Sequence, residues 1–284
     1  VQPTSQLSVE IPGHTIAGQV WGEERAGPTV LALHGWLDSS ASFARLAPLL
    51  RDARIIAVDL PGHGASSHKA PGSSYHFVDA VCDAVAIMDA LGLERTILLG
   101  HSMGAGISSL IAGLLPSRVG AACLVEGLGP LTDEPQGAPT RLAESLKQQH
   151  KHQKDRRRVF PTLDDAASRL ELAQQVSPAS AAILAARATE PVDGGLRWRA
   201  DPRLRIPSRV RFTEAHVHAF LSAIEAPVRL IQATQGFPFD EETMRARVAL
   251  VRQLEIVKVP GHHHVHLDSP EHVAPVLQDL IDAM

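Results

Sequence analysis

An α/β fold, with a mostly parallel, doubly wound sheet interrupted by a helical insertion, is what this sequence predicts. Near-continuous apolar runs of strand length recur through the first 130 residues and again after residue 226. Helical patterns separate them, and the strand rhythm stops between 131 and 212. Strands buried on both faces read as unbroken apolar runs, and alternation of strand with helix implies parallel pairing.

The opening segments "QLSVEI" and "TIAGQVWG" alternate apolar with polar or small residues around Pro-Gly, which predicts an antiparallel pair. "TVLALHG" (29–35), "RIIAVDLPG" (54–62), "RTILLGHS" (95–102) and "AACLVEG" (121–127) are the expected buried strands. Between them, "FVDAVCDAVAIMDALGL" (77–93) places Val78, Val81, Val85, Met88 and Leu91 three or four apart, and Gly92 suits a left-handed helix end. No convincing strand is expected in 131–212. Helices there include "TLDDAASRLELAQQ" (162–175), which opens like a capping box, and "SPASAAILAAR" (177–187), with Ser177 as N-cap and Pro178 at the first helical position. "PVRLIQA" (227–233) and "QLEIVKV" (253–259) resume the sheet, and a last helix follows from about 270. The division expected is one core from 1–130 and 213–284, with 131–212 as a helical cap.

A formal net charge of -4 supplies no basic field for nucleic acid. No apolar run is long enough to span a membrane, and "VQPTSQLSVE" lacks the order of a signal peptide. Cys82 and Cys123 fall in apolar runs and read as buried free thiols, which suits a reducing cytoplasm. A cytoplasmic protein is expected, with no cofactor, no nucleic-acid partner and no membrane partner; the oligomeric state is left open.

The sharpest local signal is "LLGHSMGAG" (98–106). Gly100-His101-Ser102-Met103-Gly104 follows a strand and opens a helix. A chain reversing that tightly tolerates no side chain two residues either side of the serine, so Ser102 is projected above the sheet as a nucleophile. A dinucleotide fingerprint fits less well, because Gly104-x-Gly106 is followed by Ser109 where a third Gly or Ala is needed. "ALHGWLDSS" (32–40) follows another strand, and its loop would bring the N–H groups of Trp36 and Met103 to an oxyanion. Donors fixed in this way contribute roughly 3–4 kcal/mol each. His34 and His101 are expected at the pocket.

"PGHHHVHLDSPE" (260–271) holds four histidines in five residues. Adjacent imidazoles point apart and no second His- or Cys-rich segment offers zinc spacing, so no metal is expected. One imidazole in this loop is needed as general base for Ser102.

Taken in order, "LALHGW", "VDLPGHGASS" (58–67), "LLGHSMGAG" and "VPGHHHVHLDSPEHVA" resemble the α/β-hydrolase superfamily. Within it, "VRLIQATQGFPFD" followed by "VPGHHHVH" is similar to the serine hydrolase-like proteins. The resemblance implies the α/β-hydrolase fold. It also implies a catalytic histidine seven residues before the proline opening the last helix, which counts back from Pro270 to His263. His266 then falls where relatives carry a structural histidine, and Asp268 where they carry an acid near the helix start. The usual acid after the next-to-last strand is absent, since Gly236 stands there. Relatives lacking it can supply the acid one strand earlier, which points to Glu126; Asp240, beyond "GFPF", is the alternative. A buried acid is costly unless paired, and pairing with the catalytic imidazole would resolve that cost.

The function expected is a serine hydrolase of the carboxylesterase kind, acting on a small-molecule ester or related acyl substrate through an acyl-enzyme. Thioester or C–C bond hydrolysis on the same triad is open. The alternative from another class is a ligand-binding protein or receptor of this fold with little or no turnover. The basic run "KQQHKHQKDRRR" (147–158) reads as a solvated helix face, and otherwise as an attractor for an anionic substrate or acyl-CoA.

Overall fold

The computed structural model describes residues 2–151 and 158–284. Strands β1 (Ser5–Ile11) and β2 (His14–Trp21) form the antiparallel pair, followed by β3 (Thr29–Leu33) and β4 (Arg54–Val58). Helix α1 (Phe77–Ala90), β5 (Thr96–His101), α2 (Met103–Leu114) and β6 (Val119–Val125) complete the first part. The inserted segment contributes α3 (Ala138–Lys151), β7 (Val159–Phe160), α4 (Leu163–Gln174), α5 (Pro178–Ala188), β8 (Thr189–Val192) and β9 (Gly195–Trp198). Helix α6 (Glu214–Ser222), β10 (Val228–Gln235), α7 (Glu241–Leu250), β11 (Leu254–His262), the short α8 (Val265–Asp268) and α9 (Ala274–Asp282) close the chain.

The main sheet runs β1-β2-β4-β3-β5-β6-β10-β11, with the β1–β2 and β2–β4 pairs antiparallel and every later pair parallel. Its two faces explain the unbroken apolar runs. Along β3, Leu31 and Leu33 enter one core while Val30 and Ala32 enter the other; along β4 and β5, Ile56 and Leu98 oppose Ile55 and Ile97 in the same way. Fully removing such side chains from water contributes about 1.5–3 kcal/mol each. The strand C-termini are thereby held as a rigid edge, and the site is built on it.

The inserted segment differs from the sequence expectation. Besides its helices it holds three short strands in a separate antiparallel sheet, ordered β7-β9-β8, with a hairpin turn at Asp193-Gly194. Strands of two to four residues, one containing Pro191, are too short to show a period of two. Helix α4 does carry its capping box, with Thr162 accepting from the Asp165 N–H, and Ser177 caps α5. Cys82 is exposed rather than buried, while Cys123 is buried as expected. The inward face of α1 is Val81, Ala84, Ile87 and Met88, which turns Cys82 and Val78 outward.

Candidate active site

Ser102 sits between β5 and α2 with φ 52° and ψ −110°, a left-handed backbone that a non-glycine residue adopts at a cost of roughly 1–3 kcal/mol. The neighbouring glycines explain how the turn closes. A Cβ on Gly100 would collide with the Gly104–Ala105 backbone, and one on Gly104 with the Leu33 carbonyl. The Ser102 N–H is tied to the Val125 carbonyl at 2.9 Å, so the turn hangs from β6. Met103 is the first residue of α2, where a backbone N–H has no intrahelical acceptor.

Glu126 follows β6 directly, 2 % exposed and also left-handed at φ 58°. Its carboxylate is fixed from three sides. Ala233 N–H donates to Oε1 at 2.7 Å, Phe237 N–H donates to Oε2 at 2.7 Å, and His263 Nδ1–H donates to Oε2 at 3.1 Å. The end of β10 and the loop after it thus serve the site with their backbone, not with an acid. Asp240 is exposed and caps α7, accepting from the Thr243 N–H at 2.8 Å. That hydrogen bond holds its carboxyl below the usual range. Of the two candidate acids, the fold brings Glu126 to His263 and leaves Asp240 at the helix start.

Ser102, His101 and His263 line one cavity of about 870 Å³, together with Gly35, Trp36 and Phe237. Half-buried His263 presents its ring to this space, 5.7 Å centroid to centroid from Phe237. The Trp36 side chain reaches into the inserted segment, its indole N–H donating to the Leu204 carbonyl at 3.0 Å. Much of the remaining wall comes from the inserted segment, including Leu170, Gln174 and Trp198.

His34 is not among the residues lining the cavity, contrary to expectation. It is fully buried, its Nδ1–H donates to the Gly35 carbonyl at 2.7 Å, and its Nε2 accepts from the Leu60 N–H at 3.0 Å. With both nitrogens used and burial lowering its proton affinity, it is a neutral brace between the ends of β3 and β4. Asp59 has a comparable role on β4. Burial alone would raise its pKa, but the Arg187 guanidinium at 2.8 Å and the N–H groups of Ala65 and Ser40 outweigh that and lower it.

Behind Glu126 and His263 lies a polar cluster that sequence reasoning missed in one member, Asp38. Its Oδ2 accepts from Ser42 Oγ–H at 2.7 Å, and Ser42 in turn meets His266 Nε2 at 2.7 Å. Burial pushes the Asp38 carboxyl up to about 7, against the Ser42 and Ser39 hydrogen bonds. His101 Nε2–H donates to the His263 carbonyl at 3.0 Å, which pins the backbone of the loop that carries His263. Burial and the neighbouring histidines keep His101 and His266 well below the usual imidazole range, and His264 at about 4. His262 is exposed. Asp38 Oδ2 lies 4.0 Å from His101 Nδ1 and 3.8 Å from His264 Nε2. These three buried side chains thus bring three possible ligand atoms within 4.8 Å of one another. The signal for Asp38 was an acid closing "GWLD" just before a run of small residues. Of the basic run 147–158, residues 152–157 lie outside the described residues; Arg158 lines the cavity.

A strand–serine–helix turn, a histidine loop after the last strand and an acid just after the strand between them are laid out on a doubly wound α/β sheet, the fold class of the α/β hydrolases. Residues 28–270 match the model of the alpha/beta hydrolase fold family, and the chain belongs to that family. It is 33 % identical to a serine hydrolase-like protein of Danio rerio, over 98 % of this chain and 88 % of the relative. A solved hypothetical protein from Pseudomonas aeruginosa superposes with a TM-score of 0.92 at 40 % identity, covering 98 % of this chain and all of that one. The thioesterase domain from the curacin biosynthetic pathway superposes at 0.86 with 28 % identity, covering 96 % and 98 %. Among the described residues, no helix is long and apolar enough to cross a membrane.

Proposed function

We propose that the protein hydrolyses carboxylic esters through an acyl-enzyme on Ser102. The observation that carries this reading is the His263 Nδ1–Glu126 Oε2 contact of 3.1 Å, with His263 and Ser102 facing one cavity. Glu126 fixes the imidazole so that Nε2 is the basic nitrogen. His263 takes the Ser102 proton as Oγ attacks the carbonyl carbon, and the N–H groups of Trp36 and Met103 hold the oxygen that becomes negative. When the tetrahedral intermediate collapses, the C–O bond to the leaving group breaks and His263 returns the proton to it. Water then repeats the cycle: His263 deprotonates it, it attacks the acyl carbon, and Ser102 leaves with the proton. Residues 131–212 act as a cap, supplying the cavity wall that selects the acyl group.

A thioester substrate is the second reading, favoured by the likeness to the curacin-pathway thioesterase domain. The residues need no change for it, because a thiolate leaves more readily than an alkoxide. A test that separates enzyme from receptor is release of p-nitrophenol from short-chain p-nitrophenyl esters together with fluorophosphonate labelling. Both are expected in the native protein and neither in Ser102→Ala. Absence of both in the native protein would overturn the hydrolase reading.

A further inference from the structure

The cavity above Ser102 carries charge that acyl transfer itself does not need. Arg158, just before β7, Arg169 on α4 and Arg205, at the end of the turn Pro202–Arg205, all line it. All three come from the inserted segment. Among the described residues none of them meets a carboxylate, although arginines elsewhere are regularly paired: Arg187 with Asp59, Arg203 with Asp201 and Arg247 with Glu214. Asp201 is the one acid among the described residues of the lining, and it is already engaged. Its carboxylate accepts from Tyr75 Oη at 2.8 Å and from Arg203 Nη2 at 2.7 Å. Among the described residues of the lining, no acid is left to neutralise the three guanidinium groups.

Two further features give the charge a direction. The nucleophile and His263 belong to the sheet edge, whereas the arginines belong to the inserted segment over it. Apolar side chains also line the cavity, Leu37, Leu170, Trp198 and Phe237 among them. A concave surface lined by one sign of charge and apolar walls concentrates oppositely charged ligands. Guanidinium groups are also the donors best matched to carboxylate and phosphate oxygens.

We propose that the cavity selects substrates bearing an anionic group, carboxylate or phosphate, joined through an apolar stretch to the scissile carbonyl, and that Arg158, Arg169 and Arg205 bind that anion. The location of the carbonyl rests on the acyl-hydrolase reading; the anion preference does not. The anion has two possible sources. It is carried by the acyl group, as in a dicarboxylic half-ester, or by the leaving group, as in an acyl-CoA.

Binding is measured by calorimetry on Ser102→Ala, which holds ligands without turning them over, so the result is independent of catalysis. One arm compares p-nitrophenyl hemiglutarate with p-nitrophenyl butyrate; the other compares butyryl-CoA with butyryl-N-acetylcysteamine. In at least one arm the anionic member is expected to bind at least about tenfold tighter, the scale three partly exposed ion pairs can supply. That ratio should shrink as salt is raised. It should fall towards one when Arg158, Arg169 and Arg205 are replaced together by Gln, and recover in part when they are replaced by Lys. Equal binding in both arms, or a ratio that survives the triple Gln variant, overturns the proposal. Turnover of p-nitrophenyl butyrate by the native protein reports separately on the hydrolase reading.

Discussion

Gly236 and Glu126 occupy one another's space: a Cβ built on Gly236 would overlap both oxygens of the Glu126 carboxylate. The place where an acid could end β10 is therefore kept empty for an acid arriving from β6. The same loop then donates its Phe237 N–H to that carboxylate. Gly236→Ala should displace Glu126 and with it the His263 ring. Misplacement on the order of 1 Å costs about 10²-fold in rate. A kcat for p-nitrophenyl ester hydrolysis within a few-fold of the native value, in a variant with unchanged circular dichroism, would show that the loop tolerates the methyl group.

Glu126→Gln and Asp240→Asn separate the two candidate acids. The amide at 126 keeps the shape but no longer stabilises the imidazolium, and a loss of about 10⁴-fold in kcat is expected. Asn at 240 still caps α7, so both activity and stability should stay near the native values. Asp240→Ala should lower the urea unfolding midpoint, through the lost Thr243 contact, with little change in kcat. A larger kcat loss from Asp240→Asn than from Glu126→Gln would return the acid to this loop.

How much of this is readable from the chain depends on how local the cause is. The parallel strands are legible because both faces are covered, which leaves runs such as "RIIAV" and "TILLG" with no polar alternation. Glu126 stands out because it closes the apolar run "AACLV", where an unpaired carboxylate would be costly. His34 misleads, because a histidine at a strand end looks the same whether it faces a pocket or, as here, braces a neighbouring backbone. Strands β7, β8 and β9 leave no periodic trace at their length. The convergence of Arg158, Arg169 and Arg205 is invisible in sequence, since it depends on how the inserted segment folds over the sheet edge.

The buried imidazoles predict how stability varies with pH. His34, His63, His101, His264 and His266 all have lowered pKa values, chiefly through burial, His63 at about 3 and His264 at about 4. Their ordinary value is about 6.5. The unfolded chain therefore binds more protons as pH falls below about 6.5, and the stability held above that value is lost on the way down to the folded pKa. Asp38 opposes this: its pKa is raised to about 7, so its contribution is full below about 4 and is lost as pH rises to about 7. Asp83, also raised by burial, adds to that opposition, and five groups against two leave a net rise in unfolding free energy from pH 4.5 to 6.5. Urea titrations across that range measure it. His264→Gln should flatten the slope by about 1 kcal/mol per pH unit, and an unchanged slope would mean that His264 is protonated in the folded protein.

The ion pair between Arg187 on α5 and Asp59 at the end of β4 links the inserted segment to the sheet, with Nη2–Oδ2 at 2.8 Å. Asp59 is fully buried and also accepts from the N–H groups of Ser40 and Ala65. Removing the guanidinium strands a buried carboxylate, whereas removing both charges does not. Arg187→Met alone should therefore cost about 3–5 kcal/mol, and adding Asp59→Asn should restore a large part of it. The urea midpoints of the two single variants and the double variant give the coupling directly. Additive losses would mean that the two side chains act independently, and that α5 is held over the sheet by its packing alone.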